Sequence, residues 1–166
     1  NPSGDLRIAL DLYANIRPSR SREGLRHWGR TPMDLVIVRE NTEGFYADRN
    51  MHLGIGEFMP TPDLALSVRK ISAGASRRIA QAAFELELAR AIAEVTNLEL
   101  PPERFDPAAP LFGEQGLGLD SIDLLEIALL ISQRYGFSLR SDDPDNKRIF
   151  ASLRNLAAHI AQHRTK

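Results

Sequence analysis

The feature that most constrains the fold is a change of sequence pattern close to residue 72. Before that point short apolar runs are separated by glycine and proline, and after it the apolar residues recur at helical spacing. The run Met33–Val38 is mostly apolar and β-branched, which predicts a buried strand. We therefore expect an α+β chain, with strands in the first half and helices in the second.

The first half predicts an α/β fragment that carries a β-arm. Leu6–Tyr13 is typical of a short amphipathic helix or of the approach to a strand, and Pro18 is expected to end this segment. Residues 19–31 are polar and rich in arginine, which predicts a loop. Residues 45–71 hold two weak strand-like stretches interrupted by glycines and prolines, as in an extended hairpin arm.

The second half predicts helices joined by one long loop and by short turns. A predicted helix over residues 72–87 closes the first half and continues through 88–96 at the start of the second. The other predicted helices are Ser121–Tyr135, a short helix capped by Asp145 or Asn146, and Ser152–His163. Gly136 stands at the position where a left-handed residue commonly ends a helix. Such an arrangement is typical of a small antiparallel four-helix bundle.

The long loop, residues 97–119, leads into Asp120 and Ser121 at the start of a predicted helix. Unpaired backbone N–H groups and the positive end of the helix dipole favour an anion there, so Ser121 suits a serine-linked phosphodiester. The alternative is that Asp120 or Ser121 only caps the helix, which is the commoner role of such residues.

Charge is distributed unevenly along the chain. Residues 88–145 contain four basic and eleven acidic residues, a net charge of −7, whereas residues 146–166 contain five basic and no acidic residues. An acidic module favours basic partner surfaces, although two solvated faces would give the same pattern. We expect no nucleic-acid binding, because no basic stripe with interleaved aromatic residues is present. The sequence has no cysteine, which excludes disulfides and cysteine nucleophiles.

Residues 88–166 resemble an acyl carrier protein. The resemblance is carried by the loop Asp106–Phe112 and by Gly118–Asp123, which match the family's loop and its Asp-Ser-(Leu/Ile) motif. It implies that Ser121 is the modified serine, to which a phosphopantetheinyl transferase attaches 4′-phosphopantetheine from coenzyme A. The arm's thiol would then carry acyl groups as thioesters. The extended loop at Gly113–Gly118 and the insert at Asp142–Phe150 are similar to carriers of aryl-polyene or polyketide-like pathways.

The same resemblance implies a docking surface on the helix that begins at Ser121. Asp120, Asp123 and Glu126 place negative charge around the helix start. In the family such a helix docks on basic patches of acyl synthases, reductases and transferases. We further expect one set of apolar residues on this helix to pack in the core, namely Ile122, Leu124, Leu125, Ala128, Leu129 and Ile131.

Residues 5–87 resemble a second family, the isocitrate, isopropylmalate and tartrate dehydrogenases. The resemblance is carried by Leu10–Pro18 and by Asp34–Tyr46. It implies that three arginines match those that bind substrate carboxylates and one tyrosine matches a residue that assists proton transfer: Arg7, Arg17, Arg39 and Tyr46. Guanidinium forks suit carboxylates, whereas on residue type alone these would be ordinary surface arginines.

The dehydrogenase-like segment covers about a quarter of such an enzyme. The family's nucleotide-binding start, catalytic lysine and metal-binding aspartates have no counterpart in it. We therefore expect a domain at residues 1–87 in which the arginines are vestigial, and a carrier domain at 88–166. On this hypothesis the chain is a non-catalytic carrier that does not bind NAD(P). The alternative hypothesis is that the chain is a remnant of an NAD(P)-dependent β-decarboxylating dehydrogenase.

Three further expectations concern assembly and location. The segment 45–71 resembles the arm with which these dehydrogenases interlock two subunits, so a homodimer through this arm is a hypothesis. No apolar run approaches the ~20 residues of a membrane span, and the cytoplasm is the expected compartment. We expect no metal site, since His159 and His163 lack a carboxylate partner in the sequence pattern.

Overall fold

A computed structural model describes residues 2–26, 29–44, 53–113, 115–140 and 142–166. The elements are, in chain order, α1 (Pro2–Ala9), β1 (Ala14–Arg20), β2 (Asp34–Glu40), β3 (Glu57–Thr61), β4 (Leu64–Ser67), α2 (Ala73–Val95), a 3₁₀ helix (Pro102–Arg104), α3 (Ser121–Tyr135), α4 (Asn146–Ile149) and α5 (Leu153–His163). Helices and small antiparallel sheets give the mixed α+β class that the sequence predicts. Within the described ranges, no helix combines the length and the apolar character needed to cross a membrane.

The chain divides into two compact units, the N-terminal unit of residues 1–82 and the C-terminal unit of residues 83–166. The division falls inside α2, which runs without a break from Ala73 to Val95. The two helical segments predicted before and after residue 87 are therefore one helix, and the domain boundary predicted there lies within it.

The first sheet of the N-terminal unit consists of β1 and β2, paired antiparallel over their full lengths. The expectation that Pro18 ends this segment is wrong, because β1 continues to Arg20 with Pro18 opposite Val36. In a two-stranded sheet each strand has an outer edge whose N–H groups make no hydrogen bond to a neighbouring strand. A proline, which has no N–H group, is tolerated at such a position. The predicted loop therefore begins at residue 21.

The predicted strand at Met33–Val38 is confirmed as β2, but its predicted burial is wrong. Leu35 and Ile37 are 45% and 48% exposed. Two strands alone do not cover both faces of a sheet. Among the described residues, the buried hydrophobic side chains all lie at Leu86 or beyond, so the N-terminal unit presents an apolar surface.

The second sheet is the hairpin of β3 and β4, which confirms the two strand-like stretches of the predicted arm. Glu57 pairs with Ser67 and Phe58 with Leu66, and an irregularity in register follows before the turn. All residues of both strands are exposed. The hairpin consequently offers its apolar side chains and its edges to solvent.

The C-terminal unit has a continuous apolar core. Its fully buried large side chains are Leu88, Ile92, Leu111, Ile127, Ile131, Ile149, Leu153, Leu156 and Ile160. The predicted long loop also contributes Phe105, Leu111 and Leu119 to this core. These buried anchors fix the path by which the loop reaches α3.

Two glutamates of α2 bind side chains of the other helices in the C-terminal unit. Glu85 is buried, and its Oε1 lies 3.3 Å from Nε of Arg154 on α5. Glu87 accepts a hydrogen bond of 2.8 Å from the hydroxyl of Tyr135 and forms an ion pair with Arg134. Tyr135 and Arg134 both lie on α3. Polar contacts thus connect α2 to α3 and α5 around the apolar core.

The hydrogen bond of Tyr135 predicts a dependence of stability on alkaline pH. Burial, the hydrogen bond to Glu87 and the charge of Glu87 raise the pKa of Tyr135 above its ordinary value of 10.0. The unfolded phenol ionises near pH 10 while the folded one stays protonated, so this stabilisation is complete below about pH 10 and is lost above it. We expect urea unfolding to show a fall in stability as the pH rises above about 10 that is smaller in Tyr135→Phe. An equal fall in both proteins would contradict this assignment.

Candidate functional site

The start of α3 is closed by a reciprocal capping box. Asp120 is the N-cap residue, and its Oδ1 accepts hydrogen bonds from the backbone N–H groups of Ile122 at 2.7 Å and Asp123 at 3.1 Å. The Asp123 carboxylate accepts in return from the backbone N–H of Asp120 at 2.8 Å. The sequence left open whether Asp120 or Ser121 caps the helix. In the structure Asp120 caps it, and Ser121 does not.

Ser121 is the first residue of α3 and is exposed. Within the described part of the chain, its hydroxyl takes part in no hydrogen bond. The expectation of unpaired backbone donors at this helix start is wrong for two of them, because Asp120 already binds the N–H groups of Ile122 and Asp123. The serine is therefore accessible for reaction, and the helix end next to it offers fewer donors to an anion than the sequence suggests.

An open groove of about 560 Å³ lies beside Ser121. Its lining residues come from the loop, α3, α4 and the turn after α4: Pro110, Phe112, Leu119, Asp120, Ser121, Leu124, Asn146, Lys147, Phe150 and Ala151. Most of these are apolar, and Lys147 is the one cation among the described residues that line the groove. The arrangement places an exposed hydroxyl beside an apolar surface that carries one cation, Lys147, and one carboxylate, Asp120.

The loop before α3 is held in place by a close backbone approach at Gly116. A Cβ atom at this position would lie 2.2 Å from the carbonyl oxygen of Pro110, so only glycine fits there. Leu117 donates a backbone hydrogen bond of 3.3 Å to the same oxygen. Isolated bridges link Phe112 with Leu119 and Pro110 with Ser152. The insertion at Gly113–Gly118 therefore holds Pro110, which lines the groove, in place.

Part of the apolar face predicted for α3 points away from the core. Ile122, Leu125 and Leu129 are 65%, 64% and 59% exposed, which contradicts their predicted burial. The core side of the helix contains Ile131, as predicted, and also Ile127, and both are fully buried. Positions i, i+3 and i+7 share one face of a helix, and on α3 this face is turned outward.

The acidic residues expected to serve partner binding lie on the same part of α3. Asp120 and Glu126 are exposed, and Asp123 is half-buried. Two of the three carboxylates take part in the capping box, so Glu126 is the one that stands outside it. The outward surface of α3 therefore combines negative charge with the exposed apolar residues next to Ser121.

The sequence-predicted residues of the N-terminal unit lie on different elements: Arg7 on α1, Arg17 on β1 and Arg39 on β2, while Tyr46 lies outside the described residues. Arg39 is opposite Asn15, and Arg17 is opposite Ile37. Residues two apart on a strand share a face, so Arg17 and Arg39 are diagonal neighbours on one side of the sheet.

A second cavity, of about 290 Å³, lies within the N-terminal unit and includes Arg39 but not Arg17 among its lining residues. Glu43 accepts hydrogen bonds from the N–H and the hydroxyl of Ser72 at 2.7 and 2.8 Å. Burial opposes ionisation of Glu40, but hydrogen bonds from the Thr42 hydroxyl and from the backbone hold its pKa below the usual range. The Glu40 carboxylate thus fixes the turn that follows β2, and the Glu43 carboxylate binds Ser72, just before α2.

The two histidines of α5 form an aromatic cluster with Phe137. The rings of His159 and His163 stack with centroids 4.1 Å apart, and the ring of Phe137 lies 5.8 Å from that of His159. Burial, followed by the neighbouring charges of His163 and Arg148, lowers the pKa of His159. His159 is half-buried, so only His163 is the exposed surface residue that the sequence predicts.

Lys147 is the groove residue that sequence reasoning missed. The only indication of it in the sequence is the positive charge of residues 146–166, which contain five basic and no acidic residues. A charge pattern does not indicate which of several cations lies beside a given serine.

Two family models match the chain, and their ranges overlap at residues 87–99. Residues 3–99 match isocitrate/isopropylmalate dehydrogenase, and residues 87–160 match the phosphopantetheine attachment site. The overlap lies mainly in α2, where Leu88, Ala89, Ala91 and Ile92 are buried. The sequence-based resemblance to both families is confirmed.

Curated relatives match through the dehydrogenase segment. The chain is 43% identical over 81 residues to the isocitrate/homoisocitrate dehydrogenase of Thermus thermophilus, covering 49% of the chain and 21% of the relative. It is 44% identical over 80 residues to the mitochondrial NAD isocitrate dehydrogenase subunit alpha of Homo sapiens, covering 48% and 20%. Identity to the 3-isopropylmalate dehydrogenase of Methanothermobacter thermautotrophicus is 40% over 91 residues, covering 55% and 25%.

The chain thus spans only a fifth to a quarter of the length of these relatives. Its other part contains the accessible serine, the capped helix and the groove described above. The chain belongs to the isocitrate/isopropylmalate dehydrogenase family through residues 3–99, and it joins this fragment to a phosphopantetheine-attachment domain at residues 87–160.

Proposed function

We propose that this chain is an acyl carrier whose 4′-phosphopantetheine arm is attached to Ser121. The observation that carries the proposal is the exposed Ser121 hydroxyl at the first position of α3, beside an apolar groove of about 560 Å³. The match of residues 87–160 to the phosphopantetheine attachment site supports it. The pathway we propose is fatty-acid, aryl-polyene or polyketide-like biosynthesis, and the carrier domain itself is non-catalytic.

The residues around Ser121 fit such a group. The hydroxyl is accessible to a phosphopantetheinyl transferase, and Asp120 rather than Ser121 satisfies the helix cap, so esterification leaves the cap in place. Phe112, Leu119 and Phe150 offer an apolar wall beside the attachment point. When bound, the arm supplies a terminal thiol that carries an acyl group as a thioester, which no residue of a cysteine-free chain supplies.

We propose that partner enzymes dock on the outward face of α3. Ile122 and Leu125 give this face an apolar centre, and Glu126 gives it a negative charge. A partner with an apolar pocket bordered by basic residues complements both features. Asp120 and Asp123 add negative charge while they hold the helix start, and the carrier domain in this proposal comprises residues 88–166.

The absence of cysteine makes the carrier proposal testable by counting thiols. The chain has no thiol of its own, so any thiol that remains after coenzyme A is removed must belong to an attached arm. After incubation with coenzyme A, Mg²⁺ and a promiscuous transferase, followed by gel filtration, we expect about one thiol per chain. A chain that gains no thiol under these conditions would contradict the carrier function.

The dehydrogenase segment supports a second candidate function, a remnant of an NAD(P)-dependent β-decarboxylating enzyme. The specific observation in its favour is that Arg17 and Arg39 share one face of the β1–β2 sheet, where two guanidinium groups suit a carboxylate substrate. NAD(P)-dependent oxidation of a malate-type substrate by the purified chain would support this candidate. In the carrier proposal these arginines are vestigial, and no such turnover is expected.

The exposed apolar side chains of the N-terminal unit support association through this unit. Because the apolar side chains of β2 and of the β3–β4 hairpin are exposed, we propose that a second copy covers this surface through the hairpin arm.

Sedimentation equilibrium tests this association. We expect a mass of twice 18.5 kDa for the chain. The variant Phe58→Asp places a charge on the exposed hairpin at a side chain that is 54% exposed, and it should shift the population toward monomer. The control Leu125→Asp changes an exposed apolar residue of α3 and should leave the dimer intact. A strict monomer at all concentrations would rule out the dimer.

A further inference from the structure

We infer that Lys147 binds the phosphodiester that links the arm to Ser121, and so directs the arm into the groove between α3 and α4. This inference rests on the proposed attachment at Ser121. It adds a phosphate-positioning residue to the carrier site, contributed by the short helix α4 rather than by the serine motif.

The electrostatic surroundings of Ser121 favour a cation from elsewhere in the unit. A phosphodiester at this position carries a negative charge next to the carboxylates of Asp120 and Asp123. The backbone N–H groups of Ile122 and Asp123 are bonded to Asp120, and that of Asp120 is bonded to the Asp123 carboxylate. Of the four backbone donors that a helix start offers to a phosphate, three are therefore occupied, and the N–H of Ser121 remains.

Lys147 supplies the missing positive charge. Among the described residues it is the one cation that lines the groove together with Ser121. It is exposed, and in the described part of the chain its ammonium group takes part in no hydrogen bond or ion pair. A lysine ammonium is a flexible point charge that binds phosphate without a fixed geometry, which suits an arm that has to move.

The neighbouring cations are engaged in other contacts. Arg148 pairs with Asp145 at 2.8 Å, and Arg140 pairs with Asp142 at 3.0 Å. The backbone at Lys147 is fixed nevertheless, because Ile149 at 1% and Phe150 at 5% exposure anchor α4 in the core. The position of the lysine relative to the groove is thus set by the fold, while its charge remains available.

The lining of the groove combines a cation with apolar surface. Lys147 and Ser121 line it together with Phe112, Leu119 and Phe150. A phosphate bound to Lys147 leaves the rest of the arm free to pack on the apolar residues. Loss of the lysine should release the phosphate from this position without changing the attachment itself.

Phosphorus NMR of the loaded full-length chain tests the inference. We expect the ³¹P resonance of the wild type to differ from that of Lys147→Ala and to move toward it as NaCl is raised, because salt screens an exposed ion pair. Lys166→Ala is the matched control, since Lys166 lies outside the groove and its ammonium contacts the carbonyl oxygen of Gln133 at 3.4 Å. It should behave as the wild type. Identical shifts and identical salt dependence in all three proteins would overturn the inference.

A second measurement needs no variant. In the wild type, the NMR signals of the Lys147 side chain should shift when the arm is attached, because the phosphate then lies next to the ammonium group. Unchanged lysine signals after loading would overturn the inference even if Lys147→Ala is loaded poorly. A wild-type chain that gains no arm contradicts the proposed function, whereas loading with unchanged phosphorus and lysine signals contradicts only the role of Lys147.

Discussion

Replacement of Ser121 by alanine is expected to abolish attachment of the arm completely while leaving the fold intact. The hydroxyl is the atom to which the phosphate would be esterified, and alanine has none. The helix should tolerate the change because Asp120, not Ser121, holds the capping bonds of 2.7 and 3.1 Å. Alanine is also the residue most favourable to a helix, so the free energy of unfolding should change by less than about 0.5 kcal/mol.

The matched control for this loss is Ser138→Ala. Ser138 is an exposed serine that follows α3, and its hydroxyl lies 3.3 Å from that of Ser132. This variant should load as the wild type does, which separates loss of the attachment atom from a general effect of removing a hydroxyl. Thiol titration after incubation with coenzyme A and transferase measures both variants. Loading of Ser121→Ala, or equal loss in Ser138→Ala, would contradict the assignment.

Truncation of Leu156 to alanine is expected to have the largest effect on stability. Leu156 on α5 is fully buried, at 0% exposure, in the core of the C-terminal unit. Removal of a buried leucine side chain loses its transfer free energy and leaves a cavity, at a cost of about 2–5 kcal/mol. Urea unfolding followed by circular dichroism at the helical band should therefore show a much lower midpoint.

The matched control is Leu35→Ala on β2 of the N-terminal unit, where the side chain is 45% exposed. The same chemical change should cost less than about 1 kcal/mol there, because little packing is lost. Similar costs at Leu35 and Leu156 would contradict the account in which only the C-terminal unit has an apolar core among the described residues. The comparison also reports which part of the chain dominates its stability.

Helix α3 was predictable from sequence because both of its ends carry local signals. Asp120 and Asp123 have the spacing of a capping box, and Gly136 takes the left-handed conformation, with φ of 78°, that ends the helix. These interactions involve residues close in sequence, so the pattern alone indicates them. The choice of Asp120 over Ser121 as the cap was not predictable, since both residue types favour that position.

Burial was less predictable than helix or strand formation. The run at Met33–Val38 forms a strand as predicted, yet Leu35 and Ile37 are exposed because their sheet has only two strands. Ile122, Leu125 and Leu129 likewise recur at helical spacing but face outward. Periodicity indicates which residues share a face, whereas burial depends on whether another element covers that face.

The groove depends on contacts between segments distant in sequence. Lys147 lines the same groove as Ser121 only because the fold brings α4 and the start of α3 to one groove, and no motif links the two positions. The boundary between the two units was also hard to predict from the sequence, for a related reason. Helix α2 is continuous, and residues 87–99 match both families, so no break in the pattern marks a boundary.

The most direct test of the central claim is the mass of the full chain before and after incubation with coenzyme A, Mg²⁺ and a promiscuous phosphopantetheinyl transferase. The account predicts a single gain of roughly 340 Da, which fragment analysis places on the peptide containing Ser121. An unchanged mass, or a gain placed on any other residue, would contradict the claim that this chain carries its chemistry at Ser121.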